Sequence, residues 1–132
     1  MYREIASGVY CMEEGKGITR SNVYFVQSGY SWVLIDAASA NCGRLIRKTA
    51  ESLLGANARP ASILLTHTHP DHAGSALELA RMWSCPVYVH PDELPLADYL
   101  IKFTIRSYDL LYIAHIEIRY KEAFRIERRQ NE

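Results

Sequence analysis

A short apolar run, Ile63 to Leu65, leads directly into a concentration of histidine and aspartate side chains. The run is short enough and apolar enough to form a strand that is buried on both faces. The segment that follows it, Thr66 to Gly74, reads THTHPDHAG. Nothing else in the chain is so concentrated, so the pattern predicts a polar site at the end of a buried strand.

Hydrophobic periodicity on both sides of this run predicts alternating strands and helices. The predicted elements, in chain order, are strands at 5–12, 22–28 and 31–37, a helix at 41–54, a strand at 63–65, a helix that includes 76–83, and a strand at 86–89. Gly55 stands where the first helix is expected to end. This order predicts an α/β architecture in which helices pack on a sheet.

Composition narrows the class of protein. The 132 residues include 15 Lys and Arg against 15 Asp and Glu, so the chain lacks the basic excess typical of nucleic-acid binders. Apolar residues make up 48% of the chain and charged residues 23%, which is typical of a folded domain. The N-terminus lacks the apolar core of a secretory signal, no stretch is long enough to cross a bilayer, and three dispersed cysteines indicate no disulfide framework. We therefore expect a cytoplasmic protein with no membrane or nucleic-acid partner.

The segment after Leu65 carries side chains suited to divalent metals. Imidazole nitrogens and carboxylate oxygens are ligands of zinc and related ions. Residues i and i+2 of an extended backbone project to one side, so His67 and His69 are predicted to converge on one ion, while Asp71 and His72 are directed toward a second. The alternative is a polar loop in which Asp71 caps the following helix. Metal binding is preferred because each buried imidazole would otherwise need its own hydrogen-bond partner.

The same segment is similar to the HxHxDH signature of the metallo-β-lactamase fold hydrolases. Ser21 to Val26 resembles an early strand of that family, and Val33 to Ala37 resembles its strand that ends in an aspartate beside the metals. Val87 to Pro91 resembles the strand and loop after the signature helix. The resemblance covers residues 5–98 and implies the N-terminal half of an αββα sandwich, with a metal site at the edge of the sheets.

The resemblance also implies roles for individual residues. His67 and His69 would ligate the first metal, Asp71 and His72 would ligate the second, and Asp71 would also move protons in catalysis. Asp36 would orient the ligands or the bound water. The expected cofactor is Zn²⁺, at two sites in a complete domain, with iron and manganese as alternatives.

The later ligands of the family have no recognisable counterpart in this chain. Residues 96–132 contain neither glycine nor proline, and no Gly-His-Thr-Pro-Gly-His-like segment follows His90. We therefore divide the chain into a metallo-β-lactamase-like half-domain at 1–98 and a divergent tail at 99–132. Truncation or a frameshift of a longer gene is the first explanation, completion of the sandwich by a second copy or another polypeptide is the second, and ligands from the tail, such as His115, are the third.

The predicted function is metal-dependent hydrolysis, in which a metal-activated hydroxide attacks the carbonyl of an ester, thioester, lactone or lactam. The substrate is expected to be a small molecule. The alternative is a truncated, non-catalytic remnant of such a hydrolase that binds a metal or a partner. Histidine-bearing barrels of the amidohydrolase type are a third class, but 132 residues cannot form such a barrel.

Overall fold

The computed structural model of the chain describes residues 1–93, which form one mixed sheet of six strands with helices. The tail at 99–132, with His115, lies outside the described residues. The elements are β1 (Tyr2–Ala6), β2 (Val9–Glu14), β3 (Ser21–Ser28), β4 (Ser31–Ile35), α1 (Gly43–Leu54), β5 (Ile63–Leu65), α2 (Pro70–Ala73), α3 (Ala76–Trp83) and β6 (Val87–Val89). None of the helices in residues 1–93 combines the length and apolarity needed to cross a membrane.

The strand predicted at 5–12 is two strands, β1 and β2, which meet at a turn containing Gly8. Gly8 has a φ of 74°, a conformation that glycine adopts without steric cost. A Cβ at this position would lie 2.9 Å from the carbonyl oxygen of Gln27, and the Gln27 N–H donates to the Gly8 carbonyl at 2.8 Å. The prediction of one strand was wrong because the apolar pattern gives no signal for the close approach between the backbones of Gly8 and Gln27.

Strand direction changes across the sheet. β1 to β4 form an antiparallel meander, whereas β5 runs parallel to β4, and β6 runs parallel to β5. Parallel neighbours end at the same edge of a sheet, and ligands of open α/β sheets bind outside that edge. The segments that follow β4, β5 and β6 therefore meet at one place, which we call the carboxyl edge.

The core lies between one face of the sheet and the helices α1 and α3. Val23, Phe25 and Leu34 are fully buried on this covered face, while the residues between them in β3 and β4 are half-buried. Trp32 packs edge-on against Trp83 of α3, with ring centroids 5.5 Å apart. Burial of each large apolar side chain stabilises the fold by about 1.5–3 kcal/mol, so this layer anchors the strands that end at the carboxyl edge.

The opposite face of the sheet carries a row of apolar residues in register. Cys11 pairs with Tyr24, Tyr24 with Ile35, Ile35 with Leu64, and Leu64 with Tyr88. Leu64 and Tyr88 each retain 36% of their surface exposed. In residues 1–93, a single sheet with helices on one face forms the half-sandwich that the sequence predicts.

Candidate metal centre

The first part of the site is the loop after β4, where the backbone is held in unusual conformations. Asp36, Ala38 and Asn41 all have positive φ, at 62°, 52° and 68°. Non-glycine residues pay roughly 1–3 kcal/mol for such conformations, which persist where surrounding contacts enforce them. Here the buried Ser75 supplies one contact, because its Oγ donates to the Ser39 carbonyl at 2.6 Å. The strain is therefore concentrated beside the predicted site.

Asp36 is buried at the carboxyl edge, and both of its carboxylate oxygens accept hydrogen bonds. Oδ1 accepts from the backbone N–H of Thr66 at 2.8 Å. Oδ2 accepts from Thr66 Oγ1 at 2.7 Å and faces His72 Nδ1 at 2.8 Å. Asp36 thus links the loop after β4 to both ends of the histidine segment, and the orienting role expected for it remains a prediction.

These contacts determine which nitrogen of the His67 and His72 imidazoles carries a proton. An ionised carboxylate only accepts hydrogen bonds, so the Thr66 hydroxyl donates its single proton to Asp36. The same hydroxyl lies 2.9 Å from His67 Nδ1 and must accept from it, so Nδ1 of His67 is protonated. His72 Nδ1 is protonated for the same reason, since its partner is Asp36. In the neutral form, both rings therefore keep an unprotonated Nε2, the atom that can bind a metal.

The remaining predicted ligands lie around His67. Its ring centroid is 4.1 Å from that of His72 and 4.7 Å from that of His69. Asp71 Oδ2 lies 3.5 Å from His72 Nε2. Asp36, His67 and His72 also offer ligand atoms that lie within 4.8 Å of one another. These contacts link the five predicted site residues in pairs, but the three-residue group whose ligand atoms all lie close to one another includes neither His69 nor Asp71.

The helix α2 directs Asp71 and His72 toward this cluster. Pro70 occupies the first turn, and the N-cap residue is His69, whose carbonyl accepts from the N–H groups of His72 and Ala73 at 2.9 Å each. Asp71 lies inside the helix, and no side-chain hydrogen bond caps it. The alternative in which Asp71 serves as a helix cap is therefore wrong, and its carboxylate is left directed at His72.

Sequence reasoning assigned no role to Thr66, Thr68 or Glu93. Thr68 is 2% exposed, and both its N–H and its Oγ1 donate to Glu93 Oε2, at 3.1 Å and 2.7 Å. These two hydrogen bonds lower the pKa of the Glu93 carboxyl. The two threonines alternate with histidines in Thr66–His69, which is a detectable signal in an extended segment. Nothing in the local sequence marks Glu93.

His90 stands apart from the cluster. Its side chain is 67% exposed, and its Nδ1 accepts from the Asp92 N–H at 3.2 Å within its own turn. This agrees with the interpretation of His90 as a loop histidine with local partners.

The donor set of the cluster fits a divalent metal. Three imidazoles and a carboxylate converge, two of the rings present an unprotonated Nε2, and carboxylates offset the charge of a cation. His67, His69, Asp71 and His72 remain the predicted ligands, and Asp36, which accepts three hydrogen bonds, also belongs to the group Asp36, His67 and His72 that could hold a metal ion.

Comparisons of the sequence with known proteins point to one superfamily. The sequence model of the metallo-beta-lactamase superfamily matches residues 17–131. The probable metallo-hydrolase YflN of Bacillus subtilis is 37% identical over 95 residues, which are 70% of this chain and 34% of that protein. A hydroxyacylglutathione hydrolase of Bdellovibrio bacteriovorus is 44% identical over 45 residues, which are 32% of this chain and 18% of that protein. The chain spans about a third of the length of most curated relatives that it matches.

Solved structures show the same fold at lower identity. A metallo-beta-lactamase from Pontibacter korlensis superposes with a TM-score of 0.64 at 19% identity, over 75% of this chain and 47% of that chain. A subclass B3 metallo-beta-lactamase of Bradyrhizobium japonicum superposes with a TM-score of 0.61 at 20% identity, over 72% of this chain and 34% of that chain.

Proposed function

The chain belongs to the metallo-beta-lactamase superfamily, and from this premise we propose that it is a metal-dependent hydrolase. The proposed substrate is a small molecule with an ester, thioester, lactone or lactam carbonyl. The observation that carries the proposal is the hydrogen-bond chain from Asp36 through Thr66 to His67. These hydrogen bonds leave a lone pair on His67 Nε2 beside the other predicted ligands.

Each residue of the cluster has a distinct task in this proposal. His67 and His69 hold a first metal ion, and Asp71 and His72 hold a second. When bound, such ions lower the pKa of a water molecule toward neutrality and polarise a carbonyl oxygen. Zn²⁺ is the proposed ion because imidazole and carboxylate are among its usual ligands, with iron and manganese as alternatives.

The other groups orient these ligands and move protons. Asp36 and Thr66 hold the rings of His67 and His72 in one tautomer, so neither ring has to change tautomer when a metal binds. The Asp71 carboxylate lies 3.5 Å from His72 Nε2 at the carboxyl edge. We propose that it also accepts a proton from the attacking water and passes it to the leaving group.

Native mass spectrometry of the 132-residue chain with zinc supplied is the first test, followed by assays on a panel of esters, thioesters, lactones and lactams. We expect bound zinc and turnover in the wild type. Turnover and the first of the two zinc ions should be lost in the His67→Ala/His69→Ala double variant. The matched control is His90→Ala, which removes an exposed histidine outside the cluster and should leave both unchanged.

The outcomes separate the proposal from its alternative. Zinc binding without turnover on any substrate class would favour a metal-binding remnant of a hydrolase. A wild-type chain that folds but binds no zinc, iron or manganese would overturn the proposal. The same spectra report the oligomeric state, so they also test whether a second copy of the chain contributes to the assembly.

A further inference from the structure

The segments that follow β5 and β6 lie side by side at the carboxyl edge. Leu65, the last residue of β5, pairs with Val89, the last residue of β6. The first segment carries the histidine cluster, and the second carries a turn at Pro91–Glu93. The pairing of β5 with β6 brings Glu93 next to the histidine segment, although Glu93 and Thr68 are 25 residues apart along the chain.

One oxygen atom of Glu93 accepts two hydrogen bonds from Thr68. The donors are the Thr68 N–H at 3.1 Å and the Thr68 Oγ1 at 2.7 Å, and both point to Oε2. The N–H belongs to the peptide unit that joins His67 to Thr68, so the contact fixes the orientation of that peptide plane. Thr68 is almost fully buried, which leaves little room for another arrangement.

Glu93 is itself held in place. Its backbone N–H donates to the His90 carbonyl at 3.0 Å, which closes the turn that follows β6. The hydrogen bonds from Thr68 lower the pKa of the Glu93 carboxyl, so the group remains an ionised acceptor near neutral pH. Charge-assisted hydrogen bonds of this kind are roughly twice as strong as neutral ones.

His67 therefore lies between two residues that are anchored by different carboxylates. Thr66 is bound to Asp36 on one side, and Thr68 is bound to Glu93 on the other. The first contact sets the ring of His67, and the second sets the backbone between His67 and His69. Alternation along an extended backbone would direct the Thr68 side chain away from those of the two histidines, so that Glu93 could hold the segment without blocking the site.

We propose that Glu93 is a positioning residue for the metal centre, acting through Thr68 to hold His67 and His69 at the spacing that one metal ion requires. The proposal rests on the proposed function of the cluster as a metal site. Glu93 is not assigned a contact with the metal or the substrate. Its effect should therefore appear in metal affinity and coordination geometry, and only secondarily in turnover.

The test measures zinc affinity by chelator competition, the absorption spectrum of the Co²⁺-loaded chain, and the thermal unfolding of the metal-free chain. Loss of a hydrogen-bond partner behind a ligand typically weakens metal binding about 10- to 100-fold, and we expect this loss in Glu93→Ala. Glu93→Gln keeps an oxygen that can accept from both Thr68 donors, so it should restore most of the affinity and the wild-type Co²⁺ spectrum. The matched control is Asp92→Asn, which changes an exposed carboxylate one residue away and should bind zinc as the wild type does.

Two further results bear on the mechanism. Thr68→Val removes the hydroxyl donor, and combining it with Glu93→Ala should weaken zinc binding no further than Glu93→Ala alone, because both changes break one contact. Wild-type zinc affinity and spectrum in a folded Glu93→Ala chain would overturn the proposal, as would a Gln variant that is no better than the Ala variant. If the wild type itself binds no metal, the proposed function fails. If the wild type binds metal and the Glu93→Ala variant binds it equally well, only the role of Glu93 fails.

Discussion

The covered face of the sheet and its carboxyl edge are built from the same strands, but different forces hold them. On the covered face, Phe25, Leu34 and Ile63 are fully buried and contribute through apolar contact, which has little directional preference. At the carboxyl edge, Asp36 and Thr66 are held by hydrogen bonds whose donors and acceptors must match in number and direction. Stability and site geometry are therefore determined in adjacent but distinct parts of the molecule.

This difference means that the two regions should respond differently to substitution. A smaller apolar side chain in the core lowers the free energy of unfolding and leaves the polar contacts intact. A lost acceptor at the edge leaves donors without partners and moves the ligands, with a smaller effect on stability. Three substitutions and one control variant test this separation.

Phe25→Ala should have the largest effect, and it should fall on stability. Phe25 has no exposed surface, and its ring centroid lies 5.9 Å from that of Trp32. Truncating a buried phenylalanine costs about 3–5 kcal/mol of unfolding free energy, measurable by denaturant titration of the metal-free chain. Under conditions where the variant is still folded, zinc affinity should match the wild type. A parallel loss of affinity would show that core and edge are not separable.

Gly74→Ala should disturb both regions, because Gly74 lies where α2 meets the loop after β4. Its N–H donates to the Ala38 carbonyl at 2.9 Å, and an added Cβ would collide with the backbone nitrogen of Ala40 and lie 2.5 Å from the carbonyl oxygen of Pro70. Backbone atoms cannot move aside easily, so we expect a loss of about 3 kcal/mol in unfolding free energy, together with weaker zinc binding.

Gly43→Ala is the control for that substitution. The atoms nearest to its added Cβ belong to the carboxylate of Glu78, a flexible side chain that can swing away. Its unfolding free energy should therefore change much less than that of Gly74→Ala. Equal losses in the two variants would mean that the close approach at Gly74 does not limit the fold.

Asp36→Asn should lower the free energy of unfolding less than Phe25→Ala or Gly74→Ala, and it should act mainly on metal binding. Asparagine tolerates the positive φ at this position, so the change isolates the loss of one acceptor oxygen. One amide oxygen cannot serve the Thr66 N–H, the Thr66 hydroxyl and His72 together. We expect zinc affinity to fall about 10- to 100-fold, with no change in the fold by circular dichroism. Unchanged affinity would contradict the orienting role of Asp36.

Much of the fold could be predicted because its signals are local. The apolar alternation in β3 and β4 and the helical spacing in α1 and α3 appear in the structure close to their predicted bounds. The prediction failed at Gly8, because that turn depends on the approach of Gln27 from another strand. The assignment of individual ligands to two metal ions remains a prediction, as does the division of the chain at residue 98.

The concentration of His67, His69, Asp71 and His72 after a buried strand is a property of the sequence alone, because metal-ligand chemistry and strand periodicity are both local. Which nitrogen of His67 is free to bind a metal, and what holds the backbone beside it, depends on contacts made by folding. Asp36 reaches Thr66 across 30 residues, and Glu93 reaches Thr68 across 25. No local pattern encodes such pairs, because parallel strands bring the ends of distant segments together only when the sheet forms.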